Sequence, residues 1–134
     1  MPITQIFIIG GSHGGLGVAK ALLKTLSNIK VTVISTSPDY YWNVASPRFL
    51  ARPEAIAIDE ILFPIKKLFE GHSGDRFEFI HATVIELNTG GKMICTDDGK
   101  LRKYDYLVVA SGSMFFSLPT SSRMEFEFIF KRGN

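Results

Sequence analysis

Ile6-Phe7-Ile8-Ile9-Gly10-Gly11-Ser12-His13-Gly14-Gly15-Leu16 is the stretch that decides the fold. Four apolar residues read as a buried strand, and the small residues after them as a tight turn. Leu16, Ala19, Leu22, Leu23 and Leu26 then fall at helical spacing and make one apolar stripe. A turn at Ser27-Asn28 follows, and Val31-Thr32-Val33-Ile34 supplies a second apolar strand. Together these form a βαβ unit, with the glycines where its first strand feeds its helix.

Glycine at those positions has a physical reason. Gly10 permits the tight turn off the strand. Gly15 lets the helix approach the sheet, because a Cβ would hold the two apart. The N–H groups that open the helix lack intrahelical partners, and the helix dipole adds partial positive charge. A pyrophosphate is the natural occupant, so Gly10, Gly11, Ser12, His13, Gly14 and Gly15 form a candidate dinucleotide loop. The best register of G-x-G-x-x-G uses Gly10, Ser12 and Gly15. Ser12 takes the middle position, where its hydroxyl can donate to a phosphate oxygen. The acidic residue expected about 20 residues further on is missing. Ser35 stands there and can bond a ribose hydroxyl, less strongly than a carboxylate would. An ordinary glycine-rich βα turn without a ligand is the alternative reading. His13 either approaches the ligand or fills the loop.

The chain has 134 residues, enough for one domain with a real core, and 46% of them are hydrophobic. Fifteen basic and thirteen acidic residues leave a net charge of +2, too balanced for a nucleic-acid surface. Cys95 is the single cysteine, so neither an intrachain disulfide nor a C-x-x-C pair exists. It sits in a strand-like run and reads as a structural thiol. No catalytic residue and no metal-ligand set is assigned. The first strand begins almost at Met1, without a cationic region or cleavage site, and no apolar run approaches membrane-spanning length. An intracellular, cytoplasmic protein is expected, and peripheral association with a membrane stays open.

Thr36-Ser37-Pro38-Asp39 reads as a loop that continues through the aromatic cluster Tyr40-Tyr41-Trp42 and on to Leu50. The aromatics could pack a planar ligand or anchor the loop. Arg48 is either a contact for a phosphate or anionic flavin, or a solvated surface residue. A short helix is expected from Pro64 to Phe69, with Pro64 at its first position and Ile65, Leu68 and Phe69 facing in. His72 falls in a polar loop and is expected to be exposed. From Phe77 the period becomes two. Phe77 to His81 reads as a strand, with His81 at its end. Val84 to Leu87, Lys92 to Cys95 and Leu101 to Tyr104 make three more, joined by turns at Gly90-Gly91 and Asp98-Gly99. This small antiparallel meander delivers Tyr106-Leu107-Val108-Val109-Ala110, which suits the centre of a parallel sheet. That run ends in Ser111-Gly112-Ser113, a second small-residue turn at the sheet edge where α/β proteins bind ligands.

With these residues in view, the chain resembles the N-terminal part of the pyridine nucleotide-disulfide oxidoreductase superfamily. Among its members it looks most like the apoptosis-inducing-factor-like NAD(P)H:quinone oxidoreductases of fungal type. The resemblance runs from about Ile3 to Ser113. It rests on the glycine loop, on Tyr41-Trp42-Asn43-Val44-Ala45-Ser46-Pro47-Arg48, and on Tyr104 through Ser113, which is like the family's strand ending in Ala-Thr-Gly. It implies a Rossmann-like FAD/NAD(P)-binding α/β domain over residues 1–113, incomplete, with a parallel sheet and the antiparallel meander. It also implies FAD with its pyrophosphate at residues 10–15, Ser35 by the adenosine ribose, Arg48 near the flavin, and the backbone of Thr83-Val84 near the adenine. Ala110, Ser111 and Gly112 close that pocket, Ser111 standing for threonine. NAD(P)H would be the electron donor and a quinone-like molecule the acceptor in the complete enzyme.

Residues 114–134 read as a divergent tail in which Phe126, Phe128 and Phe130 alternate like a strand. The second nucleotide-binding domain and the later glycine–aspartate segment of the family have no counterpart in the tail. The leading expectation is therefore the FAD-binding portion of a longer NAD(P)H-dependent flavoprotein, a fragment without turnover of its own. An NAD(P)-binding module and a non-enzymatic remnant are the alternatives.

Overall fold

The computed structural model describes residues 2–112 and, as backbone, 116–117 and 128–129. Strand β1 (Thr4–Ile9) runs into helix α1 (His13–Thr25), and β2 (Ile29–Ser35) returns beside β1 in parallel. Strand β5 (Phe77–His81) joins the far side of β2, and β9 (Tyr106–Val109) joins the far side of β1, both in parallel. The sheet order is β5-β2-β1-β9, so the chain reverses direction across the sheet between β1 and β9.

Both faces of β1 and β2 are covered, whereas β9, whose apolar run suited the centre of a sheet, is the edge strand and leaves Tyr106 and Val109 exposed. Ile6, Ile8, Val31 and Val33 point to one side, where Leu16, Ala19 and Leu23 of α1 meet them together with Ile65, Phe69 and Phe77. Leu16, Ala19 and Leu23 of the expected stripe make that contact and Leu22 is half-buried beside it, but Leu26 falls just past the helix and is exposed. Phe7 and Ile34 point the other way and pack on Ala82, Ile94 and Tyr104. The second layer is the meander, β6 (Val84–Asn88), β7 (Met93–Thr96) and β8 (Leu101–Lys103), paired in antiparallel order. Period-two alternation in β1 and β2 thus serves two cores at once.

At its C-terminal end α1 is held by Arg76, whose guanidinium donates to the Leu23 carbonyl at 3.0 Å and to that of Leu26. A cation there meets the negative end of the helix dipole. In the meander, Arg102 donates to the buried Thr96 hydroxyl at 2.8 Å, and that hydroxyl donates to Asp98. The hydrogen bond from Thr96, then that from the Lys100 amide, holds the Asp98 carboxyl below its usual range.

Several elements depart from the sequence expectation. Asp39–Tyr41 is a strand, β3, not a loop, because it pairs antiparallel with β4 (Leu62–Pro64). Residues expected as loop also form helix α2 (Ser46–Ala51), with Pro47 in its first turn. Pro64 is the last residue of β4 rather than the first of a helix, since its ψ of 122° is extended. Helix α3 is only Ile65–Leu68; Ile65 and Phe69 are buried, and Leu68 is half-buried. Lys92 lies in the β6–β7 turn at φ 50°, and β8 stops before the buried Tyr104. His72 is half-buried, its ring 6.3 Å from that of Phe69. Phe116–Ser117 pairs antiparallel with Phe128–Ile129; Phe126 and Phe130 lie outside the described residues, as does most of the tail.

Candidate functional site

The carboxyl ends of β1, β2 and β9 are drawn level by two backbone hydrogen bonds. Gly10 N–H donates to the Ile34 carbonyl at 2.9 Å, and Ala110 N–H donates to the Ile9 carbonyl at 2.8 Å. A crevice of about 530 Å³ opens above them. Gly10, Gly11 and Ser12 line it from the first turn, Ser35, Thr36 and Ser37 from the end of β2, Thr83 and Val84 from the step into the meander, and Ala110, Ser111 and Gly112 from the turn after β9. Nine of the thirteen residues singled out in the sequence therefore share one cavity: Gly10, Gly11, Ser12, Ser35, Thr83, Val84, Ala110, Ser111 and Gly112. It lies at the point where the sheet order reverses, the location where open α/β sheets bind ligands.

The glycines are required by their surroundings. Gly10 has φ +115°, and a Cβ on it would stand 2.2 Å from the Ala110 carbonyl oxygen. A Cβ on Gly15 would stand 1.9 Å from the Gly10 carbonyl oxygen. Gly15 is buried and does not line the crevice; it seats α1 against the turn, as the sequence reading required. Ser12 occupies the N-cap position in extended conformation, yet its hydroxyl caps no helix N–H. That hydroxyl and the opening N–H groups of α1 are free for an anion.

Three other candidates are placed elsewhere. His13 is the first helical residue, and its ring meets Tyr40 edge-on, with the Tyr40 hydroxyl 2.8 Å from Nδ1. Burial raises the Tyr40 phenol above its ordinary value. Gly14 is exposed on α1 and outside the crevice lining, with the Ala110 methyl 3.8 Å from where its Cβ would be. Arg48, on α2, lines a neighbouring cavity of about 370 Å³ with Trp42, Ala45, Ile56 and Glu60. Thr83 reaches the crevice, but its backbone N–H donates to the Asp97 carboxylate at 3.2 Å.

The acidic residue that lines the crevice is Asp39, which the dinucleotide motif does not point to: it lies four positions beyond the end of β2, where the motif places a carboxylate. Ser35 and Ser37 make this turn: the Ser37 amide donates to Ser35 Oγ at 3.3 Å, and the Asp39 amide to Ser37 Oγ at 3.2 Å. Ser-Pro-Asp is an Asx- and ST-turn composition, and that was the available signal.

A parallel sheet with a glycine turn and a helix N-terminus at its switch point defines a dinucleotide-binding domain. The chain belongs to the pyridine nucleotide-disulphide oxidoreductase family, whose profile matches residues 4–132. It is 38% identical over 119 residues to oxidoreductase ptaL of Pestalotiopsis fici, covering 83% of this chain and 32% of that protein. It is 36% identical over 109 residues to apoptosis-inducing factor homolog A of Dictyostelium discoideum, covering 81% of this chain and 24% of the homolog. The crystal structure of the sulfide:quinone oxidoreductase of Aquifex aeolicus superposes with a TM-score of 0.75 at 28% identity, over 84% of this chain and 25% of that one. The chain thus spans about a third or less of the length of these relatives. The family expected from the sequence and a Rossmann-like nucleotide-binding fold both hold. No helix among the described residues is long and apolar enough to cross a membrane.

Proposed function

We propose that these residues form the FAD-binding portion of an NAD(P)H-dependent flavoprotein oxidoreductase that passes electrons to a quinone-like acceptor. The observation that carries the reading is the single crevice shared by the glycine turn, the end of β2 and the turn after β9. The residues fit the ADP half of the cofactor. Gly10 and Gly11 bring backbone to the cavity wall, and Ser12 and the start of α1 offer donors to a pyrophosphate. Ser35 and Asp39 offer acceptors to a ribose, and Ala82, Thr83 and Val84 offer a surface to the adenine. A cavity of about 530 Å³ is within the usual size of cofactor sites. Arg48 lines a separate cavity with Trp42, and the family resemblance assigns it to the flavin.

When bound, the flavin would supply the hydride and electron chemistry. The part of this chain is to hold its nucleotide end and exclude water from the pyrophosphate. Nicotinamide alignment belongs to a second dinucleotide domain, and a glycine–aspartate segment would complete the FAD site. Three hydroxyls at residues 35–37 favour a second reading, an NADP 2′-phosphate site. Calorimetric titration with FAD, ADP and 2′,5′-ADP separates the two. Saturable FAD and ADP binding, mutually exclusive and lost in Gly10→Ala, is expected. Preference for 2′,5′-ADP would move the assignment to NADP, and no binding of any of them would sink both.

A further inference from the structure

A second cavity lies beside helix α1 and shares no lining residue with the dinucleotide crevice. It measures about 470 Å³ and is lined by His13, Leu16, Gly17 and Lys20 of α1, by Tyr40 and Trp42 on and just after β3, and by Phe63 and Leu68. We propose that this slot binds a flat aromatic molecule carrying one anionic group.

The walls define the body of the ligand. Tyr40 and Phe63 lie 27° from parallel with their centroids 6.3 Å apart, and together they make a continuous ring surface. Trp42 stands at the mouth and is 43% exposed, a large apolar side chain left open to water. Leu16 is buried beneath. Such surfaces favour offset or edge-on contact with another ring.

The polar groups define the head. The Tyr40 hydroxyl hydrogen-bonds the His13 ring. Lys20 is exposed, and none of the ion pairs among the described residues involves it. One cation at the rim of an apolar slot selects an amphipathic partner with a single negative group.

Gly17 is the independent observation. It sits in the middle of α1, where glycine weakens a helix relative to alanine. Unlike Gly10, Gly11 and Gly15, it answers no packing need among the described residues: a Cβ there would meet none of their atoms within 4 Å. Gly17 faces the slot, and its missing side chain keeps the cavity open down to the helix backbone. A helix-weakening residue that the fold does not require is explained by an occupant that needs the space.

Trp42 is the chain's one tryptophan and lines both the slot and the Arg48 cavity, so its emission reports occupancy and the Gly17 and Lys20 variants assign it to the slot. The test titrates the full chain with 2-naphthoate, followed by calorimetry and by Trp42 emission. The comparison ligands are neutral 2-naphthamide and non-aromatic cyclohexanecarboxylate. Expected are saturable 2-naphthoate binding with a change in Trp42 emission, and little binding of cyclohexanecarboxylate. Affinity should fall about fivefold for 2-naphthamide and for Lys20→Met, the size of one exposed ion pair. Gly17→Leu should abolish binding while its unfolding temperature stays level or rises. Unsaturable binding, unchanged affinity in Gly17→Leu, equal affinity for cyclohexanecarboxylate, or displacement of 2-naphthoate by ADP would each overturn the proposal. FAD titration of the same sample reads the other crevice, so either site can fail alone.

Discussion

Two alanines in one helix should act in opposite directions. At Gly15 the added Cβ would stand 1.9 Å from the Gly10 carbonyl oxygen, whereas real Cβ contacts stay beyond 3.0 Å, so about 1.1 Å of movement is needed. The obstructing atom is backbone and cannot swing aside. Gly10 is itself pinned, by its hydrogen bond to Ile34 and by the Ala110 carbonyl 2.2 Å from where its Cβ would be. Overpacking of this kind costs about 1–3 kcal/mol, and a rigid obstruction places it at the upper end. Helix propensity returns about 1 kcal/mol, leaving Gly15→Ala destabilised by about 1–2 kcal/mol. At Gly17 the same methyl meets no atom of the described residues, so only the propensity gain of about 1 kcal/mol remains. The two variants should therefore differ by about 2–3 kcal/mol, or on the order of 10 °C in Tm for a domain of this size. Urea unfolding followed by far-UV circular dichroism measures the gap. A Gly15→Ala protein as stable as Gly17→Ala would refute the seating of α1 on the glycine turn.

Four further outcomes are expected. Asp39→Asn should weaken FAD and ADP binding by about tenfold, the loss of one charge-assisted hydrogen bond at a partly wet site, as read by calorimetry. Asp98 ionises below its unfolded value of 3.8, so its contribution to stability is present above that value and lost as pH falls through the lowered one. Acid unfolding of Asp98→Asn should accordingly lack that part of the pH dependence, and an unchanged acid limb would count against the Thr96 network. Arg76→Met should cost about 1–2 kcal/mol in urea unfolding by freeing the last carbonyls of α1. The chain supplied with excess FAD and NADH under anaerobic conditions should bleach flavin no faster than free FAD, because hydride transfer needs reacting atoms held at about 3–3.5 Å; faster, NADH-saturable bleaching would show a complete active site.

Much of the sheet was legible because its signals are local and agree with one another. Ile6 through Gly15 carries a strand, a turn and a helix start in one run, and Phe77 onward carries short strands set apart by glycine turns. The β3–β4 pair was not legible. Tyr40-Tyr41-Trp42 is too short to show alternation, and its partner, Leu62–Pro64, lies more than twenty residues away. Pro64 misled for a related reason: proline suits both the first turn of a helix and the end of an edge strand, and only the pairing with Asp39 decides between them. In the site, glycine and small-residue turns named most of the crevice. Arg48 and His13 were grouped with it by nearness in sequence or by resemblance. Their side chains go to other cavities, because α2 and the first turn of α1 direct them there. Asp39 stayed hidden because three residues of turn separate it from the strand end where a carboxylate was sought.

The pairing of β1 with β9 joins Ile6 to Tyr106, residues a hundred positions apart. A ribosome adds about 5–20 residues each second, so β1 leaves the tunnel about 5–20 s before its partner exists. Through that interval β2 can cover only one of its edges. The turn at Ala110 arrives last, so the nucleotide crevice cannot close, and its ligand cannot guide the early steps, until nearly all the described chain has been made. A translational pause placed before Tyr106 would lengthen the exposure of β1, and synonymous slow codons there should raise the aggregated fraction more than the same codons placed after Gly112.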